Sequence, residues 1–361
     1  MVTSRHNCLL LLAAVACASP AAAWDYEGHC AANRIALASL PADFPAFVRE
    51  PANAERIAWL SSEADRWRST PDLPARHCNA PDHYIDLEDL ARAGLDAATV
   101  SSFRYEFAAQ YVRGRDAHPE NFAPIDPAQN SDRTREWSGF LPWTINEYFG
   151  KLRGNFARLK VLEELGTPED VAQTKASIVE MMGIMGHFLG DAAQPLHTTM
   201  HHNGWVGPNT SNYTVWRGFH SWIDSGFINR AKIELAPLTA QARPAQLLPL
   251  DPRADGRDPM FAHAMDFILV QHELVEPLYQ LEAAGKLKLE NNPPDPEAVE
   301  FLKARILTAG QMLGDVWLTA WRSAAPDNYL RGQLIRQKAA AEGTPPVPAP
   351  TVAPAAPAKS P

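Results

Sequence analysis

Apolar residues recur along most of the chain at the three- and four-residue spacing that is typical of amphipathic helices. In one such stretch, Ile57, Leu60 and Ala64 fall on a single helical face. Thr167 and Pro195 are placed to begin and to end another, since threonine is a favourable N-cap and proline terminates helices. The pattern predicts helices over residues 53–67, 100–113, 142–165, 167–194, 259–284 and 296–324.

Segments with strand-like alternation are few and short, so we predict an all-α protein with a single domain over residues 24–338. Two linking segments, 118–133 and 200–218, are long and rich in Pro, Asn, Asp and Gly. Linking segments of this length are often functional in compact domains. Residues 339–361 are rich in Pro and Ala and are predicted to form a disordered tail, because they cannot bury enough apolar surface to fold.

The first 23 residues are predicted to be a secretory signal peptide. Arg5 supplies positive charge, residues 9–16 are apolar, and small residues precede the boundary between Ala23 and Trp24. Cleavage there would send the mature protein to the periplasm or the exterior. Lipidation at Cys17 is the alternative reading of the same segment. No other uncharged apolar run is long enough to span a membrane.

The chain has 361 residues, with 33 basic and 42 acidic side chains and a formal net charge of −9. This balance excludes a nucleic-acid-binding module that works through bulk positive charge, so a polyanionic substrate would need local attraction. Four cysteines are too few for a disulfide scaffold. Cys30 and Cys78 remain after cleavage, and we predict a disulfide bond between them. Two free thiols and metal ligation are the alternatives.

Two His–Asp pairs carry the most informative chemistry. His187 and Asp191 are four residues apart in an apolar predicted helix, where burying both is costly unless they are paired or bind a metal. His220 and Asp224 repeat this spacing, and His197 lies between the two pairs. Imidazole nitrogens and carboxylate oxygens are the usual zinc ligands where thiolates are absent, so the set predicts a metal centre.

Two upstream groups add polar residues that could serve the same centre. Asp65 and Arg68 are three residues apart on one predicted helical face. His83 is followed closely by Tyr84 and Asp86. Taken alone, the first group also fits a solvated charge cluster, and the second fits a partly buried histidine.

The predicted mature N-terminus offers further ligands. The α-amine of Trp24 titrates near neutral pH, and when deprotonated it can bind a metal together with its own carbonyl oxygen. His29 follows five residues later. Without a metal, this segment fits the ordinary start of a first helix.

With these groups taken together, the chain resembles the zinc-dependent single-strand nucleases of the S-one/P-one type, whose fold is shared with bacterial zinc phospholipases C. The resemblance spans about 200 residues and keeps the order and spacing of the family's motifs. The matching residues are Trp24, His29, Ala64, Asp65, Arg68, His83, Tyr84, Ile85, Asp86, His187, Phe188, Leu189, Gly190, Asp191, Pro195, Leu196, His197, His220 and Asp224.

The resemblance implies an enzyme with three zinc ions. The first would be held by Asp65, His83, His187 and Asp191. The second would be held by His197, His220 and Asp224. The third would be held by the Trp24 amine and carbonyl, His29 and Asp191, so that Asp191 bridges two ions. The resemblance also implies catalytic roles for Asp65, Asp191 and Arg68, with Arg68 stabilising the transition state, and substrate-binding roles for Tyr84 and Asp86, which would hold a base.

The expected function is a secreted, monomeric phosphodiesterase that cleaves single-stranded DNA and RNA through a zinc-activated bridging water. The 200–216 segment departs from the nuclease pattern, with His201 and His202 as possible substrate contacts or solvated residues. Its aromatic residues, Trp205, Tyr213 and Trp216, could stack a base or enclose a choline headgroup. The alternatives are therefore a phospholipase C that acts on phosphatidylcholine-type lipids and a non-enzymatic protein stabilised by zinc.

Overall fold

The computed structural model describes residues 26–288 and 290–342. The predicted signal peptide, Trp24 and residues 343–361 lie outside the described residues. The described part is predominantly helical and contains no strand, which confirms the all-α prediction. Its α-helices are α1 (Tyr26–Ser39), α2 (Pro51–Leu60), α3 (Glu63–Arg68), α4 (Leu73–Asn79), α5 (Leu87–Arg92), α6 (Arg104–Ala117), α7 (Leu141–Leu165), α8 (Pro168–Ala193), α9 (Phe219–Ser221), α10 (Phe227–Arg230), α11 (Pro259–His272), α12 (Val275–Ala283), α13 (Pro296–Ser323) and α14 (Asn328–Ala341).

Helix α8 is the central element, and its ends are those that the sequence indicates. Thr167 and Asp170 form a reciprocal capping box, with each side chain accepting from the other residue's backbone N–H. At the other end Gln194 is extended and Pro195 opens a 3₁₀ turn, so the helix stops at Ala193. The C-terminal half of α8 is buried, which carries His187 and Asp191 into the interior.

Close packing against α8 is made possible by glycines. A Cβ at Gly183 would lie 2.5 Å from Leu60 Cβ, and one at Gly186 would lie 1.7 Å from Asn33 Oδ1. These glycines therefore let α1 and α2 approach the backbone of α8. Helices α7 and α13 pack against α8 as well, and the core between them includes fully buried residues such as Trp317.

Two of the predicted helices are interrupted. The predicted 53–67 helix is broken between α2 and α3, where Ser61 and Ser62 lie outside both helices. The predicted 259–284 helix is broken between α11 and α12, at Glu273 and Leu274. Helix α6 begins at Arg104 rather than near residue 100, and α14 extends to Ala341, three residues beyond the predicted domain boundary at 338.

The predicted disulfide bond is wrong, because Cys30 and Cys78 are both free. Cys30 is buried between α1 and α2, where its thiol lies 3.2 Å from the carbonyl oxygen of Ala58 and 3.7 Å from Ser61 Oγ. Cys78 is exposed on α4. Burial raises the pKa of the Cys30 thiol above its ordinary value, which keeps it protonated.

No helix in the described ranges has the length and apolarity needed to cross a membrane.

Candidate metal centre

Residues from six segments meet around the C-terminal half of α8. His29 comes from α1, Asp65 and Arg68 from α3, and His83 from a 3₁₀ turn at Ala80–His83. On the far side, His197 lies in the 3₁₀ turn that follows α8. His220 and Asp224 lie across the junction of α9 and a π-helical turn at Trp222–Gly226.

These side chains form three groups whose ligand atoms lie within 4.8 Å of one another. The groups are His29, His187 and Asp191; Asp65, His83 and His187; and His197, His220 and Asp224. The first two groups share His187 and overlap with the sets that the resemblance implies for the third and first zinc ions, although His187 was not expected beside His29, and Asp191 is not a member of the second group. All the described residues that the sequence assigns as metal ligands are therefore brought together at one place. Trp24 lies outside the described residues.

Asp191 connects the groups through its two oxygens. Its Oδ2 lies 3.0 Å from His83 Nδ1 and 3.2 Å from His187 Nε2. Its Oδ1 lies 3.6 Å from His29 Nε2 and 3.8 Å from His197 Nε2. Oδ1 is buried and accepts no hydrogen bond. A buried carboxylate oxygen in this position is costly unless a cation occupies the space between it and the imidazoles.

The spacing of the ligand atoms fits tetrahedral zinc. His187 Nε2 and His83 Nδ1 are 2.9 Å apart, and His197 Nε2 and His220 Nε2 are 3.1 Å apart. Two nitrogens bound to one tetrahedral zinc at about 2.0–2.1 Å would be about 3.3 Å apart, so small shifts would complete the geometry. The described residues therefore form groups that can bind metal ions.

Backbone carbonyls orient two of the histidines. His187 Nδ1 lies 2.7 Å from the carbonyl oxygen of Ser61, and His197 Nδ1 lies 2.7 Å from that of His83. Each bond places the ring proton on Nδ1 and leaves Nε2 as a lone-pair donor that faces the cluster. This is the usual way in which a protein fixes the tautomer of a metal-binding histidine.

The carboxylates are also held by neighbours. Asp224 Oδ2 lies 2.7 Å from His220 Nε2, while its Oδ1 accepts a hydrogen bond from Gln194 Nε2 at 2.6 Å. Asp65 Oδ1 accepts from Arg68 Nε at 2.5 Å, and it lies 3.7 Å from His187 Nε2. Asp65 thus faces both the cluster and the arginine.

Burial dominates the protonation of the centre. It lowers the pKa of His83 and of His197 well below the ordinary range, with Arg68 adding to the effect on His83 and His220 to that on His197. Burial raises the pKa of Asp191. For His187 burial acts downward, but the charges of Asp191 and Asp65 outweigh it and raise the pKa. Neutral imidazoles are the form that binds a metal, and a bound cation would favour ionised carboxylates.

Tyr84 and Asp86 follow His83 and lie at one edge of the centre. Both side chains are half-buried, and Oδ1 of Asp86 is buried without a hydrogen-bond partner. Burial raises the pKa of Asp86 well above its ordinary value, and the charges of Asp89 and Glu88 raise it further.

The aromatic residues of the 200–216 segment pack mainly against one another. Tyr213 is buried, and the ring of Trp205 stacks on His201 at 3.9 Å between centroids. Trp205 also contacts Tyr213 and the ring of Tyr279. Of the three aromatic residues singled out in the sequence, Trp216 alone is exposed, at 53%.

Two residues support the centre in ways that the sequence analysis did not identify: Gln194 was not singled out, and Gly190 was recognised only as part of the family motif. Gln194 is fully buried, and its side chain donates a hydrogen bond to Asp224. A polar residue in an apolar stretch just before Pro195 is the sequence feature that could have identified it. Gly190 lies against His29, because a Cβ there would be 2.4 Å from His29 Nδ1. The spacing of Gly183, Gly186 and Gly190 on α8 indicates close helix packing on this face.

Comparisons with protein-family models, with curated proteins and with solved structures found no match to this chain.

Proposed function

We propose that this protein is a secreted zinc phosphodiesterase with three metal ions, acting as an endonuclease on single-stranded DNA and RNA. The observation that carries the proposal is the position of Asp191, whose two oxygens face different groups of imidazoles in a buried cluster. An arrangement that shares one carboxylate between neighbouring sites suits adjacent metal ions. Zinc held there would supply a water of lowered pKa as the nucleophile and positive charge for the phosphate oxygens.

The chain's own residues would bind and orient the phosphodiester. The guanidinium of Arg68 is anchored on Asp65 at the edge of the cluster, and its side chain is 20% exposed. A phosphate that enters beside the metals would meet this guanidinium, which can donate charge-assisted hydrogen bonds as negative charge develops. The orienting carbonyls of Ser61 and His83 keep the histidine rings fixed, so that little reorganisation accompanies substrate binding.

A nucleotide base is the substrate group that fits the edge formed by Tyr84 and Asp86. Oδ1 of Asp86 is buried without a hydrogen-bond partner, so it would accept from a base edge that reaches it, while the half-buried phenol ring of Tyr84 would stack on that base. A choline headgroup would instead need several converging exposed aromatic faces. Tyr213 is buried and Trp205 packs on His201, which favours the nuclease over a phospholipase C.

The proposal is tested by measuring phosphodiester turnover of the zinc-loaded protein, beginning at Trp24, on single-stranded DNA and on phosphatidylcholine vesicles side by side. Turnover of DNA with little turnover of lipid supports the nuclease. Turnover of lipid alone would transfer the assignment to phospholipase C. Zinc binding without turnover of either substrate would favour a structural role for the metals.

The predicted N-terminal ligand has its own control. A protein with one extra residue before Trp24 has no α-amine at that position, so we expect it to bind one zinc ion fewer and to lose activity. Equal zinc content in the extended and mature proteins would contradict ligation by Trp24.

A further inference from the structure

The connection between His197 and His220 is held near its start by polar contacts from Glu88 and from Tyr279, whose phenol O–H donates to the carbonyl oxygen of His201. We call residues 199–218, which join the 3₁₀ turn of His197 to α9, the bridging loop. Because both of its ends are attached to ligands of one metal group, its position affects one wall of the centre. His202 in this loop is exposed, and its ring centroid lies 5.9 Å from that of His220.

The bridging loop has its own small core. His201 and Trp205 stack with nearly parallel rings, and Trp205 packs on Tyr213. Trp205 N donates to the carbonyl oxygen of Thr214 at 2.8 Å, and Val206 N donates to His201 Nδ1 at 3.0 Å. Trp205 and Tyr213 also pack on the ring of Tyr279 in α12, so aromatic packing and the polar contacts at the start of the loop together determine where it lies.

Glu88 on α5 makes two of those polar contacts. Thr199 Oγ1 donates to Glu88 Oε1 at 2.5 Å, and Met200 N donates to Oε2 at 3.0 Å. His272 Nε2 and His201 Nε2 lie 3.7 and 4.0 Å from Oε1. Because His201 Nδ1 accepts from Val206, the proton of its neutral ring is on Nε2 and faces the carboxylate.

Glu88 therefore accepts two hydrogen bonds from the start of the bridging loop, from Thr199 Oγ1 and the Met200 amide. The rings of His201 and His272 lie nearby, within 4.0 Å of Oε1. Both carboxylate oxygens are engaged at the loop, and Glu88 belongs to none of the three metal-binding groups found among the described residues. Its role is thus separate from metal ligation. Helix α5 also begins directly after Asp86. The proposed base-binding residue, Asp86, and the residue that contacts the loop, Glu88, are therefore only two residues apart.

We propose that Glu88 is a positioning residue that fixes the bridging loop beside the metal centre and thereby sets how tightly the site binds an extended substrate. The substrate part of this inference rests on the proposed phosphodiesterase function, whereas the anchoring of the loop does not. Glu88 would act through the loop and would not touch the reacting phosphate.

The test compares Glu88→Ala and Glu88→Gln with Glu273→Ala. Glu273 is exposed, is adjacent to His272 in sequence, and has no part in the loop anchor, so it controls for the loss of a nearby negative charge. For Glu88→Ala we expect unchanged zinc content and an unchanged kcat on single-stranded DNA, with KM raised about tenfold. Hydrolysis of bis(p-nitrophenyl) phosphate, which lacks the extended chain that would reach the bridging loop, should be unchanged. Glu88→Gln keeps one carbonyl acceptor and should show a smaller rise in KM.

A second readout is independent of activity. Arg217 is an exposed residue of the bridging loop, so trypsin cleavage after Arg217 reports the freedom of the loop. We expect cleavage of folded Glu88→Ala to be at least tenfold faster than that of the native protein or of Glu273→Ala. If Glu88→Ala fails to fold, Glu88→Gln carries the same measurement with a smaller expected change.

Unchanged cleavage at Arg217 would overturn the anchoring role, and unchanged KM would overturn the role in substrate binding. Loss of zinc from folded Glu88→Ala would also overturn the proposal, because Glu88 would then support the metal centre itself. If the native protein hydrolyses no phosphodiester, the proposed function fails, and the trypsin result alone decides whether Glu88 anchors the loop.

Discussion

Replacing Gly190 by alanine should remove one metal-binding position while leaving the fold in place. A Cβ at Gly190 would lie 2.4 Å from His29 Nδ1, whereas ordinary van der Waals contacts begin at 3.4 Å. The imidazole must therefore move by roughly 0.6–1 Å to reach a tolerable contact. A zinc–nitrogen bond is about 2.0 Å long, so a displacement of this size abolishes ligation by His29.

The expected cost in stability is moderate. Overpacking a buried site costs about 1–3 kcal/mol, while exchanging glycine for alanine within a helix contributes about 0.5–1 kcal/mol in the opposite direction. The net loss in the free energy of unfolding should be about 0–2.5 kcal/mol. We therefore expect folded Gly190→Ala protein that contains about one zinc ion fewer per chain by elemental analysis and has reduced phosphodiester turnover.

Two other glycines provide matched controls. A Cβ at Gly150 would have no heavy atom within 4 Å, so Gly150→Ala should retain full zinc content and gain about 0.5–1 kcal/mol. A Cβ at Gly186 would clash with Asn33, which bonds the carbonyl oxygens of Ile57 and Gly183 and is no metal ligand. Gly186→Ala should destabilise the protein without selective metal loss. Full zinc content in Gly190→Ala, or equal zinc loss in Gly186→Ala, would refute this reasoning.

Three further predictions concern catalysis, metal removal and the fold. Arg68→Ala should lower turnover by about 10²–10³-fold with unchanged zinc content and circular dichroism, and full turnover would exclude Arg68 from transition-state stabilisation. Chelation of the metals should lower Tm by about 5 °C or more, because ions bound only by the folded state add about 2.7 kcal/mol when present at 100 times Kd, and an unchanged Tm would argue against buried metals. Thr167→Ala should lower the free energy of unfolding by about 1 kcal/mol in urea titrations through loss of the capping box, with Ser177→Ala as a control in the same helix.

The sequence predicts the long helices well where a residue that favours a helix start coincides with the hydrophobic pattern. The predicted 142–165 and 296–324 helices correspond to Leu141–Leu165 and Pro296–Ser323. The break at Ser61 could not be read from periodicity, because Ile57, Leu60 and Ala64 keep the same face on both sides of it. The break accompanies a tertiary contact, because the carbonyl oxygen of Ser61 accepts a hydrogen bond from His187 Nδ1.

The candidate ligands were recognisable in the sequence, and the resemblance also implied the group of His197, His220 and Asp224, but the residue spacing alone did not give the grouping. His187 Nε2 lies 2.9 Å from His83 Nδ1, 3.2 Å from Asp191 Oδ2 and 3.7 Å from Asp65 Oδ1, an arrangement that depends on the packing of separate segments of the chain. The orienting carbonyl of His83 is equally invisible, because every residue carries a carbonyl and the fold selects which one faces His197. The disulfide prediction failed for a related reason: cysteine spacing does not report that Cys30 points into the core.

The composition of the cluster also bears on whether the metals are structural or catalytic. A structural zinc site saturates its ligands with protein atoms and is closed to solvent. Here Arg68 is partly exposed beside Asp65, and Asp86 presents an unpartnered carboxyl oxygen near the same edge. A stabilising site has no need of either group, and burying an unsatisfied carboxyl lowers stability. The positions of Arg68 and Asp86 therefore favour substrate contacts over stability. The variants Arg68→Ala and Asp86→Ala distinguish a catalytic metal centre from a structural one. Both substitutions should leave Tm unchanged or raised while turnover falls, whereas a structural centre would lose stability.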